Sequence, residues 1–109
     1  MPISKRFVDL PTGMVAYVQA GDAGVPVVFL HGLPASSFLW RRAIAALHRS
    51  FPCYALDLLG YGDSDQDEGA DLSLPAQATV LSLWADAVGL ERFHLVGHDI
   101  GGGVAQVFT

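Results

Sequence analysis

Apolar and polar positions change their period several times along this chain, and each change marks an element. Phe7–Leu10 and Met14–Val18 are short strand-like runs on either side of Pro11-Thr12-Gly13, a spacing that predicts an antiparallel hairpin. Val27-Val28-Phe29-Leu30 is continuously apolar, as in a strand covered on both faces of a parallel sheet. From Ser37 the period lengthens. Trp40, Ile44 and Leu47 recur at i, i+4 and i+7 with Arg41, Arg42 and Arg49 off that stripe, which predicts an amphipathic helix over residues 38–48, ended by Phe51-Pro52.

Tyr54–Leu58 is the next strand, followed by a polar, acidic loop from Gly60 to Asp71. Pro75 suits a first helical turn, and Val80, Leu83, Trp84, Ala87 and Val88 form an apolar face closed by Gly89. Phe93–Val96 is the last strand, and a further helix opens after it, from Gly101 to Thr109. The order β-β-β-α-β-α-β-α predicts an α/β fold: a mostly parallel sheet with helices on both faces and an N-terminal antiparallel hairpin. Trp40 and Trp84 fall at core-facing positions and read as packing residues.

Composition narrows the class. The chain has 109 residues, 51% of them hydrophobic and 16% charged, which is globular rather than disordered and apolar enough to suggest a core continued elsewhere. With a net charge of −5 and no basic cluster beyond Arg41-Arg42, nucleic-acid binding has no electrostatic footprint. Cys53 is the single cysteine, so no internal disulfide can form. No apolar stretch is long enough to span a membrane, and the polar N-terminus lacks a signal-peptide pattern. The expected location is cytoplasmic, with no membrane or nucleic-acid partner and no cofactor. Gly60-x-Gly62 is not followed by a helix as a dinucleotide site requires, and Asp63-x-Asp65-x-Asp67 lacks the glycine and glutamate of a calcium loop, so no metal site is expected.

The chemistry concentrates in Gly97-His98-Asp99-Ile100-Gly101, between the last strand and the last helix. A sharp strand-to-helix turn of this kind exposes a nucleophile, here Asp99, and needs small neighbours, which Gly97, Gly101, Gly102 and Gly103 supply. The helix starting at Ile100 directs N–H groups and a positive dipole end at the turn. An aspartate that merely caps the helix is the competing reading, although a cap does not require glycine two residues to each side. A second motif, His31-Gly32-Leu33-Pro34, directly follows the strand Val27–Leu30. At adjacent carboxyl strand ends, the Leu33 and Ile100 amides together would make an oxyanion hole, with His31, Gly32, Pro34, Gly97 and Gly101 shaping the site. A simple Gly-Pro turn is the alternative for that segment.

These motifs, with the loop Asp57-Leu58-Leu59-Gly60-Tyr61-Gly62-Asp63-Ser64-Asp65 between them, resemble in order and type the α/β-hydrolase superfamily. More narrowly the chain resembles its aspartate-nucleophile branch, which contains epoxide hydrolases and haloalkane dehalogenases. Ser36–Arg41 is particularly similar to the dehalogenases. The resemblance covers essentially the whole chain and implies that it is the N-terminal half of such a fold, residues 1–109 forming a partial core domain without the cap region. It implies Asp99 as nucleophile, the Leu33 and Ile100 amides as oxyanion hole and a structural role for His31, while Asp57 is expected to organise the loop below the site.

A carboxylate attacking an epoxide or alkyl-halide carbon gives a stable ester, whereas attack on an ester would give an anhydride. No base is needed for that step, but one is needed to activate water against the ester. The resemblance places that histidine and its acidic partner beyond residue 109, so the chain alone is expected to stop at one alkylation. His98 should project away from a bound ester, His94 lies in the last strand and expected buried, and His48 is near a helix end. Dehalogenases of this type often hold the halide with Trp and Asn side chains where this chain has Ile100 and Leu33, neither able to donate a hydrogen bond. That favours an epoxide or similar small-molecule electrophile over a halide. A haloalkane dehalogenase-like enzyme and a non-catalytic remnant are the alternatives. In the isolated chain the last strand is expected to form an apolar edge, open to self-association or completion by another chain.

Overall fold

In the computed structural model, which describes residues 4–32, 35–66 and 69–109, the predicted element order is observed. Strands β1 (Ser4–Leu10) and β2 (Gly13–Ala20) form the hairpin, followed by β3 (Val27–Leu30), a 3-10 turn at Ser37–Trp40 and helix α1 (Arg41–Leu47). Strand β4 (Cys53–Leu56), helix α2 (Leu74–Val88), strand β5 (His94–Gly97) and helix α3 (Ile100–Phe108) complete the order.

The five strands lie in the order β1-β2-β4-β3-β5. β3 pairs in parallel with β4 on one side and with β5 on the other, while β1–β2 and β2–β4 are antiparallel. Alternation along the central strands divides the core. Val28, Leu30, Tyr54 and Leu56 face α2 and α3, where Leu81, Trp84 and Val104 are fully buried. Val27, Phe29, Cys53 and Ala55 face α1 and pack on Ile44. Trp84 stands edge-on to Tyr17 and Tyr54 at 5.5 and 5.6 Å, and Trp40 lies 4.9 Å from Phe29, so both tryptophans pack as expected.

Three local readings need correction. The helix expected over 38–48 begins as the 3-10 turn, where the Leu39 amide donates to the Ser36 carbonyl and the Ser37 amide donates 2.7 Å to the Asp57 carboxylate. β4 ends at Leu56 rather than Leu58, because the Leu58 amide donates to the His31 ring instead of to a strand. The inner face of α2 is rotated: Gln77, Leu81 and Ala85 are buried, and Ala87 is exposed. Gln77 escaped an apolar count because it is polar. Its amide holds both backbone groups of Leu59, at 3.2 and 2.7 Å.

Candidate active site

The register of the parallel strands sets Leu30 opposite Gly97, so the two motif-bearing loops leave the sheet side by side. The ladder runs one step further, with the His98 amide donating 3.0 Å to the Leu30 carbonyl. The chain then reverses in a tight turn closed by Gly101 N–H donating 2.9 Å to His98 C=O. Asp99 is the first corner of that turn, at φ 56° and ψ −119°. These are type II′ angles, a region dominated by glycine, and no other described non-glycine residue has a positive φ. Such a conformation costs about 1–3 kcal/mol and persists only where its surroundings impose it.

Those surroundings are glycines at close approach. A Cβ on Gly101 would strike the Leu30 carbonyl and lie 2.6 Å from that of His31; one on Gly97 would strike Gly101. Gly32 touches Asp99 itself: a Cβ there would collide with the Asp99 Cβ and stand 3.0 Å from Oδ2. Asp99 is exposed, and its side chain makes no capping hydrogen bond to α3. Ile100 opens α3, so its amide has no preceding carbonyl within the helix to bond. The structure thus brings together His31, Gly32, Gly97, Asp99, Ile100 and Gly101. Leu33 and Pro34 lie outside the described residues.

Below this turn sits a polar cluster. Asp57 is fully buried, and Lys5 Nζ reaches its Oδ2 at 2.6 Å from the far edge strand. Its two oxygens also accept the amides of Ser37 at 2.7 Å and Asp63 at 2.9 Å, while its backbone carbonyl accepts the Ser64 hydroxyl at 2.6 Å. The expected loop-organising role of Asp57 fits these contacts. Its partner Lys5 was not foreseen, since the two are 52 positions apart and only a buried acid's need for a cation hints at it. Burial pushes the Asp57 carboxyl up, but Lys5 and the Asp63 and Ser37 amides outweigh it and hold it below the usual 3.8.

His31 is buried beside this cluster. Its Nε2 accepts the Leu58 amide at 2.9 Å, which fixes the proton on Nδ1, and Nδ1–H donates 3.0 Å to the Gly32 carbonyl. The Tyr61 ring stands edge-on at 5.4 Å. Burial lowers its pKa from 6.5, against the opposing pull of the Gly32 carbonyl and Asp57.

Both shifts make the fold acid-sensitive. The unfolded chain takes up a proton at His31 below 6.5 before the folded one does, so stability is lost as pH falls from 6.5 toward the folded value. Asp57 repeats this below 3.8. The urea midpoint is therefore expected to fall between pH 7 and 5, and again below pH 4. A midpoint constant over that whole range would contradict both assignments.

Other histidines sit as follows. His48 caps the end of α1, His98 is exposed beside Asp99, and His94 is exposed, its ring 6.4 Å from that of Phe51. The expectation of a buried His94 fails because β5 is the outer strand of the sheet. Among the described residues no group of His, Cys, Asp or Glu is arranged to hold a metal ion, and no helix is long and apolar enough to cross a membrane.

Comparison with known proteins sets this geometry in context. The family model for the alpha/beta hydrolase fold matches residues 25–109. Haloalkane dehalogenase 2 of Mycobacterium tuberculosis is 36% identical over 105 residues, covering 96% of this chain and 36% of the relative. The soluble epoxide hydrolase of Corynebacterium sp. strain C12 is 41% identical over 94 residues, covering 85% of this chain and 32% of the relative. Among solved structures, a membrane phospholipase A described as a bacterial virulence factor superposes with a TM-score of 0.94 at 30% identity, covering 97% of this chain and 34% of that one. The chain spans about a third of the length of the curated relatives it matches.

Proposed function

Since the chain belongs to the alpha/beta hydrolase fold family, we propose that it carries the nucleophile half of a hydrolase acting on a small electrophilic molecule, foremost an epoxide, through an ester on Asp99. The observation that carries this reading is the turn itself. An exposed carboxylate is held in a strained, glycine-like conformation, and it does not cap its helix.

One Asp99 oxygen attacks an epoxide carbon, the ring C–O bond breaks, and the ring oxygen leaves as an alkoxide that takes up a proton. Water attacking the ester carbonyl would then develop an oxyanion for the amides of Ile100 and Leu33 to stabilise. Relatives include dehalogenases as well as an epoxide hydrolase, so the fold does not select the leaving group. Ile100 supports the epoxide: its side chain is apolar and packs toward the α2–α3 core, offering nothing to a departing halide.

His31 is engaged at both nitrogens, His48 and His94 belong to other parts of the fold, and His98, exposed beside Asp99, is expected to project away from a bound ester. The expected stoichiometry is one ester per chain. Incubation with a reactive epoxide should add one adduct mass, mapping to the peptide that contains Asp99. Folded protein that stays unmodified would sink the proposal, and steady diol production would sink the stoichiometry.

Self-association is a separate expectation. β5 is the outer strand on its side of the sheet, with Val96 36% exposed and His94 and Gly97 exposed beside it. An apolar edge of this kind invites pairing. Sedimentation should report mass increasing with concentration, and Val96→Lys should suppress the increase. A concentration-independent monomer would count against it.

A further inference from the structure

Deepening the proposed Asp99 chemistry and resting on it, we infer that His31 is a positioning residue, whose neutral imidazole ties Gly32, behind the nucleophile, to the end of β4, a tie that protonation breaks at its Leu58 end. The contacts form a continuous path. Leu58 N–H donates to Nε2, Nδ1–H donates to the Gly32 carbonyl, and Gly32 lies against the Cβ and Oδ2 of Asp99. The His31 carbonyl lies in turn against Gly101, which closes the turn bearing Asp99. One ring thus ties the end of β4 to both loops of the site.

The neutral tautomer is essential to that tie. A protonated ring carries hydrogen on both nitrogens, so Nε2 would confront the Leu58 N–H donor to donor. With no acceptor left for Leu58 and no room in a buried site, either the ring or the loop must move. The groups facing the ring are few. Asp57 and Lys5, paired with each other, act on it from the β4 and β1 side with opposite sign; Tyr61 presents its ring edge from the acidic loop; Asp99 stands beyond Gly32, next to His98. Burial tips this balance toward the neutral form. Misplacing a nucleophile by about 1 Å is enough to cost on the order of a hundredfold in rate.

His31→Gln separates this role from plain packing, because its side-chain oxygen can accept the Leu58 amide without titrating. The rate of ester formation with a reactive epoxide is measured by mass spectrometry from pH 8 to pH 5, in wild type and in H31Q. Below a midpoint under 6.5, the wild-type rate is expected to fall roughly tenfold per pH unit. H31Q should lack that limb, whereas His31→Ala should be slow throughout. An acid limb of the same midpoint in H31Q overturns the inference.

Nitrogen-15 spectra over the same range supply a readout independent of alkylation. They should report Nδ1–H at neutral pH, and the amide signals of Leu58, Gly32 and Asp99 should shift with the His31 midpoint in wild type but not in H31Q. Signals that ignore the His31 titration also overturn the inference, whether or not an adduct forms. If the signals move together while no adduct forms in any variant, the nucleophile reading fails and the structural coupling stands.

Discussion

Replacing Asp99 by Asn is expected to reduce epoxide alkylation to background, at least a thousandfold below wild type on the scale of about 1.4 kcal/mol per tenfold. An amide at the same corner keeps the size of the side chain but loses the anionic oxygen that attacks. Asp99→Gly should be equally inert, yet more stable than Asp99→Ala, which loses the same side-chain contacts. Glycine relieves a conformation worth about 1–3 kcal/mol, at φ 56° and ψ −119°, while about 0.5–1 kcal/mol returns as extra backbone entropy in the unfolded chain. A gain of about 1 kcal/mol over Asp99→Ala in urea denaturation, alongside complete loss of adduct in both, is the expected signature of strain kept for reactivity. If Asp99→Gly is less stable than Asp99→Ala, the turn is not strained. If Asp99→Asn still alkylates at the wild-type rate and site, the carboxylate is not the nucleophile.

Asp57→Ala should be the most damaging change away from the turn. Removing that carboxylate strands the Lys5 ammonium and the amides of Ser37 and Asp63 around a fully buried position. Breaking a buried pair by deleting one partner typically costs about 3–5 kcal/mol. Lys5 is one-third exposed and 3.3 Å from Asp63, so it can turn partly to water and a second carboxylate, which favours the lower figure. A loss of about 3 kcal/mol is a large share of the roughly 5–15 kcal/mol that holds a domain folded. Urea titration of Asp57→Ala, Lys5→Met and the double variant measures the coupling. Additive losses would mean that Lys5 and Asp57 do not act as a pair.

How much of this was legible in the sequence depended on the range of the interaction. Val27–Leu30 could be read to its ends because four consecutive apolar residues have few options other than a strand covered on both faces. α2 was bounded by local chemistry: Pro75 sits in the first turn, and Gly89 ends the helix at φ 80°. Its inward face was misread by a fraction of a turn, since small residues such as Ala85 and Ala87 carry little periodic signal and buried Gln77 carries the wrong one. At the candidate site, Gly97 and Gly101 were readable because close backbone approach leaves no other residue type, whereas a Cβ on Gly102 would make only ordinary contact. Lys5 was not readable, because nothing local to a β1 lysine announces a carboxylate at the end of β4, two strands away.

Taken by itself, the chain's sequence determined the order of elements, the sharp turn at Asp99 and the kind of chemistry a carboxylate there can perform. Each of these rests on steric and hydrogen-bonding rules that act over a few residues. Only the tertiary structure decided that Asp99 occupies a glycine-like conformation, that Gly32 stands against it, and that His31 links both loops to β4. Those facts arise where β3 meets β4 and β5 in register, and strand register is a property of the packed sheet rather than of any strand alone.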